Sequence, residues 1–477
     1  MSQLYVVVLA VIVAGLLSVA IFRAARVKTK ADYLVAGRSL PAPVLVLTLL
    51  TSWIGAGSLF AGAENAYRNG FAALWQAAGG WFGLLLIYFI APRARRFAQF
   101  TLPDLLEARY NQTARVLGTF AILFAYVGIT SYQFKGGGNV LHLIFPDTVT
   151  PELGTYIIAV FVILTTALAG MSSVAYMDVA IGSLVTVICA VSVPYLLHEV
   201  GGWSGLQAAL PATHFQVLGN LTFVRAMEFL VPTMLLMLGN QVMYQKFFSA
   251  KSERDARLSV IGWILGTVVL EALIVTIAVI GSALYPTGEV ARQPFEIIPY
   301  TARHGLPALM GALLLGAVFA KVISTASNYL FSPATNLIND VFVRYMAPNA
   351  SNKRVLIVSR LAVVLLGCWA LYQAIYAQSI LEKMLWAYTI YSAALTPVVL
   401  AAFYSKRVTA WGAVAAIAAG TVVTLAWDLP GVKSIFPPIL AQRDAIFPAL
   451  VAAVAAMIVV SAFTPKPTAH QLAQVSG

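Results

Sequence analysis

The sequence predicts an all-α polytopic membrane protein, and three observations carry that prediction. Apolar residues make up 60% of the 477-residue chain and charged residues only 10%, against about 25% charged in an ordinary soluble domain. The apolar residues gather into about thirteen runs, most of them near the length that crosses some 30 Å of hydrocarbon as a helix. The basic residues behind the net charge of +12 sit mostly in the short loops between runs, where they orient a membrane protein rather than bind nucleic acid. Helix is the expected form because lipid offers the backbone no hydrogen-bond partner.

In order, the runs are Leu4 to Phe22, Pro43 to Ala66, Phe71 to Ala91, Ala114 to Leu141, Tyr156 to Ala169, Ala175 to Leu197 and Met227 to Tyr244. They continue with Leu258 to Leu284, Pro307 to Leu337, Val355 to Ala377, Met384 to Tyr404, Trp411 to Trp427 and Ile446 to Phe463. The first is read as a retained span, since Arg23, Arg26, Lys28 and Lys30 follow it without a small-residue cleavage site. Cys189 and Cys368 fall inside apolar runs and suggest neither a disulfide framework nor a metal site. No nucleophile constellation, metal cluster or phosphate loop is present, so an enzyme is not expected.

Thirteen spans put the two termini on opposite sides. Of the thirty Lys and Arg residues, twenty-one fall on one set of alternate connections and the tail, seven fall on the other set, and Lys135 and Lys321 lie inside runs. The positive-inside rule then places the amino terminus outside and the carboxy terminus in the cytoplasm of a multi-pass protein in the cell (inner) membrane.

Within that frame the most informative residue is Lys321, near the middle of the ninth run. At about 1.5 Å per residue its Cα lies roughly 21 Å from the start of the run at Pro307, too deep for the amine to snorkel out. An ammonium there costs about 3 to over 10 kcal/mol unless it is paired, surrenders its proton or faces a watery path. Glu271, 14 residues beyond Arg257, is as deep and must be protonated or paired, which makes it a candidate proton carrier.

Two spans carry helix-weakening residues at matching places. The second contains Gly55, Gly57 and Gly62, and the seventh contains Pro232 and the pair Gly239-Asn240. Each opens a block of five spans. Interruptions at corresponding positions of two halves suit an inverted-repeat transporter, in which freed carbonyls bind ions and solute at midplane; close helix packing is the simpler use of the same glycines.

Five stretches, in order, give the chain a family resemblance. They are Asp32-Tyr-Leu-Val-Ala-Gly-Arg-Ser-Leu40, Thr101-Leu-Pro-Asp-Leu-Leu-Glu-Ala-Arg-Tyr110, Gly170-Met-Ser-Ser-Val-Ala-Tyr-Met-Asp178, Asn240-Gln-Val-Met-Tyr-Gln-Lys-Phe-Phe-Ser249 and Ile323-Ser-Thr-Ala-Ser327. Together they resemble the sodium/solute symporter family, over nearly the whole chain. The resemblance implies a LeuT-like fold: an extra helix and cytoplasmic loop in 1–42, inverted repeats in 43–197 and 223–404, two more helices in 405–463 and a cytoplasmic tail in 464–477. It also implies a sodium site made by the carbonyls of Thr51, Ile54 and position 321 with the hydroxyls of Ser324 and Thr325. Those are neutral oxygens suited to a hard cation, and Na+ is the only cofactor-like species implied.

Lys321 is the departure, because the family usually has a small apolar residue there. Two unit charges about 4 Å apart repel by roughly 4 kcal/mol at an effective dielectric near 20, so a charged Lys321 and a bound sodium should exclude each other. Either the ammonium is a built-in cation, with coupling to a proton or to no ion, or the side chain turns to a carboxylate and sodium binds as in the family. Asp178 is placed near the ion path by resemblance and, read alone, is a surface carboxylate on a first helical turn.

The remaining polar groups outline a solute site. Gly57, Ser58, Glu64, Gln133, Asn240 and Gln241 are the substrate-binding candidates; Glu64 also has Arg68 at i+4, and the amides and Tyr132 could serve packing alone. Glu228 is expected to be solvated and Lys135 to snorkel to the outer interface. Sugar-carrying relatives place an acid and an amide where this chain has Gly57-Ser58 and Gln76-Ala-Ala-Gly-Gly80, so a sugar is disfavoured. The expected function is alternating-access uptake of a small polar organic solute across the bilayer. The alternative is a membrane sensor with a separately encoded signalling partner, since the chain ends soon after its last span.

Overall fold

The computed structural model describes residues 3–24, 29, 32, 35–97, 101–376 and 379–473. Arg26, Lys28 and Lys30, the Tyr33-Leu34 pair of the first motif and Ala377 of the tenth expected span lie outside them. The described architecture is helical throughout the membrane-spanning part. Its principal helices are α1 (Gln3–Ala24), α2 (Ala42–Trp53), α3 (Ala63–Asn69), α4 (Leu74–Phe97) and α5 (Gln112–Ile144). A helical stretch over Pro151–Glu199 carries two spans, α6 (Pro151–Leu168) and α7 (Val174–Glu199). Then come α8 (Phe223–Gly239), α9 (Gln241–Phe248), α10 (Glu253–Leu284), α11 (Ala308–Asn336), α12 (Asn352–Tyr376), α13 (Ile380–Ala394), α14 (Thr396–Tyr404), α15 (Ala410–Trp427) and α16 (Ile446–Phe463).

Local chemistry starts many of these helices. Side chains of Asn111, Thr150, Thr222, Ser252, Ser379 and Thr409 accept backbone N–H bonds from the first turns of α5, α6, α8, α10, α13 and α15, which satisfies donors that would otherwise be orphaned. Asn240 does the same after an interruption: it takes the Val242 N–H at 3.0 Å and restarts the chain as α9. Beyond Trp53 the backbone leaves the helix at Ile54 (φ −81°, ψ 117°) and resumes as a π-helical turn over Gly57–Gly62 leading into α3.

Eleven helices among the described residues are long and apolar enough to cross a membrane, and Gln3–Val19 and Ala42–Trp53 are shorter apolar helices. The second of these is short because the break at Ile54 cuts the second expected run, whose later half continues through Gly70 into the third as one helical stretch, Gly57–Phe97.

Burial separates core from periphery. The spans Phe223–Phe248, Ala308–Met346 and Ile380–Tyr404 are 78%, 78% and 89% buried in their most apolar windows, whereas Ile446–Phe463 is 17% buried and faces outward. Large apolar side chains such as Phe89, Leu365 and Val451 are exposed on the outside, where lipid rather than water is the natural neighbour. Helices α4 and α8 approach closely through glycine: a Cβ at Gly79 would stand 2.3 Å from the Leu230 carbonyl oxygen, and one at Gly83 would stand 2.7 Å from the Met237 Cβ. Helix α1 lies on α7 and α11, with Leu16 against Met177, Ile181 and Ala320.

Candidate functional site

The break in the second span sets up the site by freeing backbone oxygens. Because Ser58 N–H turns to the Gly55 oxygen at 3.1 Å, the Ile54 carbonyl has no helical donor and faces α11. There the Thr325 hydroxyl lies 3.1 Å from the Ile54 oxygen and 3.2 Å from the Thr51 oxygen. Lys321, one turn earlier on α11 and fully buried, donates its amine to the same Thr51 oxygen. From α5, Gln133 accepts the Ala56 N–H at 2.8 Å and pins the far side of the break. Gly55 is needed here because a Cβ would stand 2.7 Å from Thr325 Cγ2 and 2.8 Å from Gln133 Nε2.

Beside this seam lies a second polar centre, built around Asp178 of α7. It is fully buried, which overturns the reading of a surface carboxylate. It pairs with Lys246 of α9 at 3.1 Å and accepts from the hydroxyls of Ser324 and Thr48 and, at 3.4 Å, from the Asn328 amide. Lys246 is also bonded to the Thr48 carbonyl at 3.1 Å. Counting Lys246 among the cytoplasmic loop charges was therefore wrong: α9 carries it inward past Asn240 and buries it completely. Arg109 and Arg115, counted in the same way, are also buried, with Arg115 held by Asp104 and Asp340. The basic excess on that side persists without the three.

Ser324 thus turns to Asp178, whereas Thr51, Ile54, Lys321 and Thr325 converge on the break. The oxygens of this seam are of the kind a hard cation takes, and the Lys321 amine already holds one of them.

Glu271 of α10 stands apart from both lysines. Its carboxylate accepts from the indoles of Trp53 at 3.0 Å and Trp81 at 2.8 Å, and Ser58 is its third hydrogen-bonding neighbour. Ser58 lines a small cavity with Glu271, and a Cβ at Gly57 would stand 3.1 Å from Met384 Sδ and from the Tyr388 hydroxyl. Other solute candidates are committed elsewhere. Asn240 bonds Tyr126 and Tyr329 at 2.8 Å each, and Gln241 accepts the Leu102 N–H and donates to Asn336 at 3.0 Å. Glu64 pairs with Arg68 at 3.1 Å. Glu228, expected in solvent, is instead buried and paired with Arg225 at 2.9 Å, because α8 tucks its first turn against the Asp444 segment. Lys135 is half-buried at the rim of a small cavity shared with Glu152.

Sequence reasoning missed Lys246, Thr48 and Asn328 around Asp178. The signal was available for Lys246, whose neighbours Tyr244, Phe247 and Phe248 make its segment apolar on both sides.

A broken helix facing a polar seam inside a helical bundle of this layout defines a transporter core of the LeuT-like class. The chain belongs to the sodium:solute symporter family, whose model matches residues 33–420, and it is a membrane symporter and not an enzyme. A sodium/proline symporter of Staphylococcus aureus is 26% identical, covering 92% of this chain and 88% of its own length. An osmoregulated proline transporter of Bacillus subtilis is 23% identical, with coverage of 91% and 90%. Among solved structures, a substrate-bound, outward-open Na+-coupled sialic acid symporter superposes with a TM-score of 0.82 at 17% identity, covering 98% of this chain and 99% of that one. A nucleobase-cation-symport-1 family transporter in a closed conformation gives 0.61 at 14% identity, with coverage of 94% and 99%.

Proposed function

We propose that the chain takes up a small polar organic solute by alternating access, and that Lys321 serves as its built-in cation. The two halves that would move are residues 43–197 and 223–404, with the amino terminus outside and the carboxy terminus cytoplasmic. One observation carries the reading: the Lys321 amine donates to the Thr51 oxygen, in the position that family resemblance gives to sodium. A fixed ammonium there repels a second cation, so coupling is to a proton or to no ion. The proline transporters among the relatives make small amino and imino acids the first solutes to try.

The test is uptake into proteoliposomes across a solute panel, with sodium and proton gradients imposed separately. Uptake that ignores sodium supports the proposal. Uptake by the parent chain that requires a sodium gradient rejects the built-in cation and leaves a sodium-coupled symporter.

A further inference from the structure

We propose that Glu271 recognises a positively charged nitrogen on the transported solute, so that the substrates are amines, or zwitterions bound through their ammonium end. This rests on the transport reading above and adds the charge class of the cargo.

Glu271 lacks a charged partner among the described residues. It lies about 21 Å along α10 from Arg257 and is 5% exposed. Its partners are two indoles and a hydroxyl, all neutral. A carboxylate has about four acceptor sites, and these three neighbours leave one. Lys321 does not fill it, because its amine is bonded to the Thr51 oxygen.

What Glu271 does face is a cavity of about 20 Å³, shared with Trp53, Ser58, Gln76, Thr233 and Tyr388. That is room for one water-sized group, the size of an ammonium head. The donors on its wall are largely spent: Trp53 and Ser58 on Glu271, and Thr233 on the Phe229 carbonyl at 2.8 Å. The open groups are acceptors. Gln76 points its amide nitrogen at Met384 and leaves its oxygen buried with no hydrogen-bond partner among the described residues. A space that offers acceptors and a buried carboxyl with no charged partner is matched by a group that is all donor and positive, which would supply the pairing that an ionised acid at this depth needs. Trp53 and Tyr388, stacked with ring centroids 6.3 Å apart, make the wall aromatic as well. An anionic group at the same place would meet a like charge and lose about three orders of magnitude in affinity.

The test uses the purified full-length chain and matched probes. Ligand-induced thermal shift and proteoliposome uptake are read for L-proline, pyrrolidine and tetrahydrofuran-2-carboxylate, and for a wider panel of amines, amino acids, carboxylates and polyols. The tightest ligand should carry a positive nitrogen, and replacing that nitrogen by oxygen should weaken binding at least tenfold. Glu271→Gln, which keeps one oxygen for an indole N–H and turns its amide nitrogen to the other, should lose at least tenfold for the same ligand in protein whose fold is confirmed by thermal unfolding, and Gln76→Leu several-fold. A best ligand without a positive nitrogen overturns the proposal, as does a well-folded Glu271→Gln chain that binds as tightly as the parent. If nothing in the panel is bound or carried, the transport reading falls and this proposal falls with it.

Discussion

Asp178 and Lys246 form an ion pair at 3.1 Å with both side chains wholly withdrawn from solvent, one on α7 and the other on α9. The pair joins α7 to α9 beside the broken second span, and the carboxylate is further held by Ser324, Thr48 and Asn328. Breaking one side of such a pair leaves a bare charge in a low-dielectric interior, which is far more costly than removing both.

Asp178→Asn and Lys246→Met should each destabilise the detergent-solubilised protein by about 3–5 kcal/mol, and the double variant by clearly less than their sum. Thermal unfolding of the four proteins measures this. Additive losses would mean that the pair contributes nothing beyond its separate hydrogen bonds.

Lys321→Ala removes the fixed charge and leaves the Thr51, Ile54 and Thr325 oxygens free. Sodium affinity, read as a sodium-dependent thermal shift or as sodium-driven uptake, should rise by up to about three orders of magnitude over the parent. Equal sodium responses in the two proteins would disprove the exclusion argument.

Gly55→Ala should impair both stability and uptake. The added methyl would stand 2.7 Å from Thr325 Cγ2 and 2.8 Å from Gln133 Nε2 and Thr325 Oγ1, closer than side chains tolerate. Overpacking of this kind costs about 1–3 kcal/mol. Gly15, with nothing within 4 Å of its would-be Cβ, is the control, and Gly15→Ala should be nearly silent.

In the connection between α4 and α5, burial favours a neutral Glu107, but Arg115 and Arg344 outweigh it and hold the carboxyl below the ordinary carboxylate range. A depressed value adds stability at pH above the unfolded-chain value, near 4.3, and that contribution is lost as pH falls through the lower folded value. Melting temperature followed from about pH 6 to 3 should therefore fall less steeply at the acid end for Glu107→Gln than for the parent. Parallel curves would show that the two arginines do not sense this carboxylate.

Composition and run length made the membrane fold legible, because hydrocarbon imposes one requirement on every span. Lys321 was legible for the same reason: a lone charge in a long apolar run has few places to go. The seam around it was implied by the family resemblance and not by local pattern, and of its two hydroxyls only Thr325 meets the break while Ser324 turns to Asp178. Partnerships set by tertiary packing were hidden. Trp53 is 218 residues from Glu271 and Trp81 is 190, and no local pattern pairs a carboxylate with two indoles so distant. Glu228 was misjudged because an acid beside an arginine at a helix start looks solvated, when it is the distant Asp444 segment that covers it.

Thr48, Lys246, Ser324 and Asn328 come from three different helices and all point to one carboxylate. None of α2, α9 and α11 can rotate appreciably about its axis without stripping a donor from Asp178. Reorientation of this bundle should accordingly proceed by tilting about that carboxylate as a common pivot, with rotation of any single helix the costlier route.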